Sequence, residues 1–449
     1  MRDLLFIVIF CGLLPICFFR PFFGLLLWTM LSYLSPERFA FGFTHFLPVG
    51  YLTGIPTLVG MALNRKFRFP PMTRETALLG LLWLWFVITT INVYNSNQFV
   101  HHFPETVARL GDISKALAMI LIAVLLITDL DKLRWWYLIT AGSFALLAFK
   151  SMRFGLLTSG EARVYGPPGT ELADNNGFGL ALNMSLPMFI YLARIEESKK
   201  LRIVYYFAFV AALFGIVLSY SRGALIGLVF VMFVIALQSR HKARAFIGVV
   251  ILCSVLLVVA PKQWIERMET LKTAEKTDAS AQERFNSWKF ASHLAYEFPF
   301  FGGGFNTFTE PLYQRYGLSL NIEGTQLGPH SIYFQMLAEH GFPGLFLFLA
   351  LIASCMLSAF RVKRKFKRVD PDHWLVMFAN MIIGSLIAYA ASGAFLGFAY
   401  FGLFYQIVAT TIILKYLAKK EMQTIEESYE EITDPDEPEL VPNLAASPE

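Results

Sequence analysis

Charged residues are scarce in this sequence. Asp, Glu, Lys and Arg together make up 16% of the 449 residues, whereas 56% are hydrophobic. A water-soluble domain typically has about 25% charged and about 45–50% apolar residues. A soluble globule is therefore excluded, and the chain is better divided into membrane spans of about 20 apolar residues each. The composition predicts an all-α, polytopic membrane protein.

Cysteine is also rare, and the motifs of nucleotide and metal sites are missing. The four cysteines lie in apolar runs without a Cys-x-x-Cys pair, so no disulfide framework is expected. There is no Walker loop, no strand-GxGxxG-helix unit and no cluster of His, Cys and carboxylates with metal-ligand spacing. We therefore expect no cofactor, no metal and no nucleic-acid partner.

Acidic residues are almost missing from the apolar runs. Asp112 is the exception, and Lys115 lies one helical turn away as its partner. Ion-coupled transporters usually keep acidic residues at mid-membrane depth. This scarcity counts against a transporter.

What the sequence does have is a series of apolar runs separated by connections of alternating charge. The basic connections are 64–76, 129–134, 194–202, 239–244, 361–373 and 415–420. The positive-inside rule places them in the cytoplasm. Residues 1–34 are short for two spans and form either a broken helix or a tight hairpin around Arg20-Pro21. We therefore predict 12 or 13 transmembrane helices, with 12 favoured.

The connections divide the chain into three parts. Residues 1–200 form an N-terminal transmembrane region, and residues 201–420 form a second one that includes a long outer loop, 261–330. Residues 421–449 hold ten acidic side chains and no Lys or Arg. Such a segment has too little apolar surface to order itself, so we predict a disordered cytoplasmic tail.

The loop 261–330 is the only large element outside the predicted spans, and function is expected there. Lys262–Lys276 has the pattern of an amphipathic helix. Ser280-x-x-Glu283 is a capping box that would open a second helix through about Phe298. The sequence thus predicts a large periplasmic loop that is itself helical.

Arg222 lies in Ser219-Tyr220-Ser221-Arg222-Gly223, between two apolar helices on the predicted outer side. A cation at a helix N-terminus opposes the helix dipole unless an anion is present. Backbone N–H groups, a Ser cap and a guanidinium together suit a phosphate. The alternative is an interfacial arginine that reaches towards lipid headgroups.

Arg284 lies in the first turn of the predicted capped helix, with Phe285 and Trp288 nearby. A guanidinium beside aromatic faces would suit an anionic ligand with sugar rings or lipid chains. An ion pair with Glu283 or Glu297 on a solvated face is the alternative.

His330 follows Gly328-Pro329 and precedes Ser331 where a helix is expected to begin. A helix N-terminus disfavours the imidazolium, which would keep His330 neutral and able to accept a proton near pH 7. This suits a general base towards a hydroxyl group. A cap or a hydrogen-bonding surface residue is the alternative.

Taken together, these motifs resemble the O-antigen ligase and polymerase superfamily of membrane glycosyltransferases. The specific part is Ser219-Tyr220-Ser221-Arg222-Gly223, Glu283-Arg284-x-x-x-Trp288, Gly302-x-Gly304, and His330-Ser331 followed by Gly341 after nine residues. Gly344 replaces a threonine expected in ligases. The N-terminal Phe19-Arg20-Pro21 and Tyr33-x-x-Ser35-Pro36 look like the subgroup of putative O-glycosylation ligases associated with exosortase systems.

The resemblance implies transfer of a glycan from undecaprenyl diphosphate to a hydroxyl acceptor, either lipid A–core or a protein. The enzyme would be inverting and metal-independent, and would lie among the lipids of the bacterial inner membrane with its active site facing the periplasm. By position, Arg222 and Arg284 would bind the diphosphate and His330 would activate the acceptor. Further candidate substrate contacts are Arg163, Ser221, Trp288, Gly304 and Ser331.

Two other functions remain open. A polymerase of O-antigen repeat units would use the same lipid donor on both sides of the reaction. A flippase for lipid-linked oligosaccharides, or another transporter, belongs to a different class and would need a charged path through the membrane.

Overall fold

The structure, a computed structural model, describes residues 2–39, 42–64, 67, 69, 72–259, 279–320 and 328–432. These residues contain fifteen α-helices and no β-strand. The first eight are α1 (Arg2–Phe19), α2 (Pro21–Leu34), α3 (Val49–Asn64), α4 (Arg74–Asn95), α5 (Phe103–Leu126), α6 (Leu130–Leu157), α7 (Asn175–Ile195) and α8 (Lys199–Leu218). The others are α9 (Arg222–Gln238), α10 (Lys242–Val259), α11 (Ala279–Glu297), α12 (Glu310–Leu320), α13 (Ile332–Phe366), α14 (Trp374–Gly393) and α15 (Gly402–Ile432). The predicted all-α class is confirmed.

Several helices begin where a polar side chain can satisfy their first backbone N–H groups. The side chains of Thr73, Asp129, Asp174, Ser198 and Ser221 each accept a hydrogen bond from the first turn of the helix that follows. Such caps matter because the first four N–H groups of a helix have no partner within it. The boundaries of these apolar helices are therefore set by local sequence.

Six helices in the described part of the chain are long and apolar enough to cross a membrane. They are α1, α4, α7, α8, α13 and α14, and α9 is a shorter apolar helix. This confirms a polytopic membrane protein, while the count of about 12 spans stays a prediction. In α7 and α14, 83% of the apolar window is buried, against 11% in α1. The first two lie at the centre of the bundle, whereas α1 presents its side chains outwards.

Residues 1–34 form two helices rather than one, with the break at Arg20. Near the start of α1, Thr44 Oγ1 donates a hydrogen bond of 2.6 Å to Asp3. Near its end, the backbone of Phe18 is so close to Gly60 that a Cβ there would meet the Phe18 carbonyl oxygen at 2.0 Å. Pro21 is the first residue of α2, a position where proline is favoured because it needs no N–H partner. The chain therefore folds back at Arg20-Pro21, and residues 2–34 form the hairpin rather than a single span.

The helix bundle has two ends that differ in character. We call the end with connections 158–174, 219–221 and 394–401 the site end, and the end with 196–198, 239–241 and 367–373 the basic end. At the site end, Val164 N donates to Leu218 O at 3.0 Å, and Asn175 Nδ2 donates to Ser219 O at 2.7 Å. At the basic end, Arg240 pairs with Asp372 at 2.7 Å. The orientation of these ends in a membrane stays a prediction.

The part of the long loop that the structure describes packs on the site end. Phe290 and Leu294 of α11 share a buried apolar cluster with Phe99, Phe308 and Leu312. The predicted helix through about Phe298 corresponds to α11, but Ser280 lies inside that helix and not before its first turn, so the predicted capping position is wrong. The helix predicted at 262–276 lies outside the described residues.

The start of the acidic segment 421–449, which was predicted to be disordered, also differs from the prediction. Helix α15 continues to Ile432, so residues 421–432 are helical and not disordered. Met422 is 6% exposed, and Glu421 lies 3.5 Å from His373. Apolar positions at helical spacing thus extend the packed face of α15 beyond the last basic residues. Residues 433–449 lie outside the described part of the chain.

Candidate functional site

The tight turn between α8 and α9 carries Arg222. Tyr220 adopts a left-handed backbone conformation, with φ of 55°, and Ser221 caps α9 by accepting a hydrogen bond from Ala224 N at 3.2 Å. Ser221 Oγ also donates to Asn176 Oδ1 at 2.7 Å. Arg222, the first residue of α9, is half-buried. The position of Arg222 is therefore set by a turn that Ser221 holds through hydrogen bonds to α9 and to Asn176.

A second helix begins beside this turn. Asp174 caps α7 by accepting hydrogen bonds from the backbone N–H groups of Asn176 and Gly177 at 3.0 and 3.2 Å. The Ser221–Asn176 bond ties the start of α7 to the start of α9. Two N-terminal dipole ends therefore lie together, and both favour a negative charge in front of them.

A third helix, α13, begins just after His330. His330 has a φ of 45° and follows Pro329, and Ser331 is the N-cap of α13. The sequence predicted His330 at the helix start. In the structure it lies two residues before the first helical residue, so this prediction is wrong in detail. Non-glycine residues rarely adopt this left-handed conformation, and where they do, the strain is often found at a functional site.

The connection between α14 and α15 brings these elements together. A Cβ on Gly223 of α9 would lie 3.3 Å from Phe395 Cβ, and a Cβ on Gly397 would lie 3.2 Å from His330 N. The Phe395 ring lies 6.2 Å from the Trp288 ring of α11, measured between centroids. Residues 395–397 therefore contact the start of α9, the aromatic face of α11 and the backbone of His330.

Helix α11 is fixed to the segment before His330. Ser287 Oγ donates a hydrogen bond of 2.7 Å to Gly328 O, and the Trp288 ring stacks on Phe334 of α13 at 5.2 Å. Arg284, one turn before Trp288, is half-buried on this helix. Its charge acts on His330, as the electrostatics of the imidazole show.

Burial and neighbouring charges set the protonation of His330. Burial lowers the pKa of the imidazole below its usual value, and the nearby Arg284 guanidinium lowers it further. The carboxylates of Glu283 and Asp174 act in the opposite direction but do not cancel these two effects. His330 is therefore neutral near pH 7, as the sequence predicted, and has a nitrogen that can accept a proton.

The same region has polar groups that the described residues leave unsatisfied. Trp288 Nε1 and Ser331 Oγ are buried and have no hydrogen-bond partner within the described ranges. No hydrogen bond to a ring nitrogen of His330 is found among those residues either. Most buried polar groups in proteins are hydrogen-bonded, and these groups can therefore hydrogen-bond to a ligand.

Two further predicted substrate contacts, Arg163 and Gly304, lie in different regions of the structure. Arg163 is exposed, next to Val164, whose N–H donates to the end of α8 just before the turn that carries Arg222. Gly304 lies elsewhere. Its φ is 80°, its N–H donates to Glu339 O at 2.8 Å, and a Cβ there would meet Val93 at 2.2 Å. The structure places Gly304 in a tightly packed polar cluster further along α13.

The sequence did not predict that second cluster, which we call the closed cluster: Thr89, Glu339, His340 and Tyr400. The Tyr400 hydroxyl donates to Glu339, and it lies 2.8 Å from His340 Nε2. Thr89 Oγ1 lies 2.8 Å from His340 Nδ1. Glu339 is therefore an acid buried among the helices, whereas Asp112 is exposed. The predicted pair of Asp112 with Lys115, at 2.6 Å, is confirmed. Glu339-His340-Gly341, with Gly341 at φ of 67° breaking the helix, was the available signal.

Among the described residues, no three His, Cys, Asp or Glu side chains come together in a way that could hold a metal ion. Arg222 and Arg284, the predicted anion-binding residues at the site end, have guanidinium groups, which bind phosphate through two parallel N–H donors.

Comparison with known proteins gives two matches. Residues 1–167 match a family of unknown function (DUF5935), and residues 207–349 match the family described as O-antigen ligase. A search of curated proteins finds no match. The second match covers α9, α11, Arg222, Arg284 and His330, which are the elements that meet at the site end. Residues 207–349 are therefore similar to the O-antigen ligase superfamily.

Proposed function

We propose that this protein is a membrane glycosyltransferase that transfers a glycan from undecaprenyl diphosphate to a hydroxyl group on lipid A–core or on a protein. The observation that carries the proposal is the meeting of three helix N-termini, those of α7, α9 and α13. The last two lie within the O-antigen ligase match. Such a place suits a ligand with concentrated negative charge.

The diphosphate of the donor would lie in front of these helix ends. Arg222 and Arg284 would bind its oxygens, with Ser221 and Arg163 as further contacts. In the transition state the diphosphate takes up the electrons of the breaking bond, so guanidinium groups stabilise it more strongly than they stabilise the bound donor.

His330 would act as the general base. One ring nitrogen takes the proton of the acceptor hydroxyl while the hydroxyl oxygen attacks the anomeric carbon of the donor sugar. The bond from that carbon to the diphosphate oxygen breaks, and undecaprenyl diphosphate leaves with the electron pair. Attack opposite the leaving group inverts the configuration, and no metal or nucleotide takes part.

Side chains near His330 would position the substrates. Trp288 offers a donor N–H and an aromatic face to a sugar ring, and Ser331 offers a hydroxyl group. Gly304, whose N–H donates to Glu339 of the closed cluster, would act through the packing of the 303–306 segment against α13.

The site end would face the periplasm of a bacterial inner membrane. This rests on the positive-inside rule, because the connections at the other end are rich in Lys and Arg. A lipid-linked donor would then reach the site from the outer leaflet.

Reaction of the purified protein with a lipid-linked glycan and an acceptor tests the proposal. We expect a glycosylated acceptor in detergent, without a membrane gradient, and none with His330→Asn. A flippase would form no such product under these conditions, and that result would exclude the proposal.

A repeat-unit polymerase is the second candidate, since Gly344 replaces the threonine expected in ligases. A Cβ on Gly344 would lie 2.4 Å from His340 Cβ, so a larger residue does not fit there. Deletion of the gene separates the two functions. Loss of a ligase leaves long chains on the lipid carrier and none on the core, whereas loss of a polymerase leaves single repeat units on the core.

A further inference from the structure

The basic end of the bundle contains a cavity of about 440 Å³ between α4, α13 and α15. Five cationic side chains line it, together with one carboxylate, that of Glu426. The five are Arg74, Arg361, Lys365, Lys415 and Lys419. A volume in this range is typical of ligand pockets in proteins.

Among the residues that the structure describes, one of these cations, Lys415, is neutralised by a neighbouring carboxylate. Lys415 Nζ lies 2.6 Å from Glu75 Oε2, and Glu75 is fully buried. The hydroxyl groups of Ser354 and Ser358 donate to the other Glu75 oxygen at 2.7 and 2.6 Å, so this carboxylate is saturated.

The other four cations have no such partner. Arg74, Arg361, Lys365 and Lys419 have no carboxylate oxygen within 4.0 Å among the residues that the structure describes. The cavity therefore has a surplus of positive charge.

The arrangement is unfavourable unless an anion is present. Arg361 and Lys365 lie four residues apart on α13, and Lys415 and Lys419 lie four residues apart on α15. Like charges at this spacing face each other on a helix and destabilise it. An anion in the cavity would reduce this repulsion within each of the two helices.

One wall of the cavity is apolar. It is formed by Val362 and Phe366 of α13 and by Ala418 and Met422 of α15, all of them largely buried. A small inorganic anion would gain nothing from such a wall. A molecule with an anionic head and a hydrocarbon chain would contact both the cations and the apolar side chains.

We infer that this cavity binds an anionic phospholipid, with its phosphodiester headgroup among Arg74, Arg361, Lys365 and Lys419 and the start of an acyl chain along α13 and α15. Basic pockets between membrane helices on the cytoplasmic side commonly bind such headgroups. The site lies at the opposite end of the bundle from Arg222 and His330, so it is separate from the proposed glycan transfer.

Lipid binding to the full-length protein in a neutral detergent tests the inference. Native mass spectrometry would follow titration with phosphatidylglycerol, with phosphatidylcholine and with glycerol phosphate as a soluble headgroup. We expect phosphatidylglycerol to bind in preference to both. The triple variant Arg361→Gln, Lys365→Gln, Lys419→Gln should bind it roughly 100-fold more weakly, since each basic residue contributes about fivefold near an anionic lipid.

The matched control removes the same charge from the same end. Arg364→Gln, Arg368→Gln and Lys420→Gln change three cations that do not line the cavity, and this variant should bind within about threefold of the original protein. If the triple variant does not fold, the single substitutions Arg361→Gln and Lys419→Gln should each weaken binding about fivefold. Equal binding by the cavity and control variants would overturn the inference, and so would glycerol phosphate binding as tightly as the lipid.

Discussion

Two histidines ten residues apart, His330 and His340, have opposite environments. His340 is completely buried between the rings of Phe86 and Phe305, and both of its ring nitrogens have hydroxyl partners at 2.8 Å. His330 is half-buried, in a strained backbone conformation, and neither ring nitrogen has a hydrogen-bond partner within the described part of the chain.

The difference suggests different roles for the two imidazoles. His340 stabilises the fold, whereas His330 has ring nitrogens that can bind a substrate. The closed cluster satisfies its polar groups internally, so it stabilises one packing of α4, α13 and the 399–400 backbone. The region around His330 leaves Trp288 Nε1 and Ser331 Oγ unsatisfied within the described ranges. Stability is therefore expected to depend on the first region and activity on the second.

The largest expected effects on activity and on stability come from replacing each of the two histidines, one at a time, with asparagine. His330→Asn should lower kcat/KM by about 10²–10⁴-fold, because the general base is lost, while asparagine still tolerates the left-handed backbone. His340→Asn should instead lower the free energy of unfolding by about 3 kcal/mol, since a buried ring and its hydrogen bonds are lost.

Transfer rates with a lipid-linked donor, together with thermal unfolding in detergent, measure the two effects. If His330→Asn lost stability and kept its activity per folded molecule, the distinction between the two histidines would be wrong.

A smaller loss of activity is expected from Arg222→Lys. An ammonium group cannot reproduce the two parallel hydrogen bonds of a guanidinium, so kcat/KM should fall roughly 10- to 100-fold with little change in stability. Arg153→Lys, an exposed arginine of α6, is the control and should keep its activity. Near-normal transfer by Arg222→Lys would count against bidentate binding of the diphosphate.

Tyr400→Phe tests the closed cluster with little change in shape. The hydroxyl that joins Glu339 to His340 is removed, which leaves two buried partners unsatisfied. We expect a loss of about 1–3 kcal/mol in unfolding free energy, measured by thermal or chemical unfolding in detergent. The rate per folded molecule should change by less than about threefold. A large loss of rate with unchanged stability would show that the closed cluster takes part in the reaction.

The smallest expected effect is on the pH dependence of activity. Activity should fall as the pH drops through the pKa of His330, which lies below its ordinary value. The Asp174 carboxylate raises this pKa, so Asp174→Asn should lower it and move the acidic limb of kcat/KM to lower pH. Asparagine is also a good N-cap, so α7 should be retained.

Glu283 also raises the pKa of His330, so Glu283→Gln should move the acidic limb of kcat/KM to lower pH as well. Glu161→Gln, at an exposed position of the 158–174 connection, is the control and should cause no shift. A shift to higher pH in Asp174→Asn would show that His330 is not the group that titrates.

Much of the candidate site could be predicted from the sequence because its markers are local. The Ser221 cap before Arg222, and the Gly328-Pro329-His330 segment before α13, can be read from a few adjacent residues. The role of residues 395–397 could not, since it consists of contacts with Gly223, Trp288 and His330, which are far away in the chain. The same holds for Asn176, whose hydrogen bond to Ser221 crosses 45 positions.

The error about the acidic tail had a similar origin. Met422 belongs to an acidic segment by composition, but it is buried because α15 runs along the bundle. The burial of Glu339 beside Tyr400 could not be predicted either, because it depends on the α14–α15 connection, more than 50 residues later.

The sequence alone determined the class of this protein, since a chain so poor in charge and so rich in apolar runs can satisfy its backbone in a membrane only as helices. It also determined that Arg222 follows a helix cap, because capping is decided within one turn. The tertiary structure alone decided that the starts of α7, α9 and α13 come together and that one of two similar histidines is buried in the interior. Those outcomes depend on which helices pack side by side, and that is a property of the whole bundle rather than of any short stretch of chain.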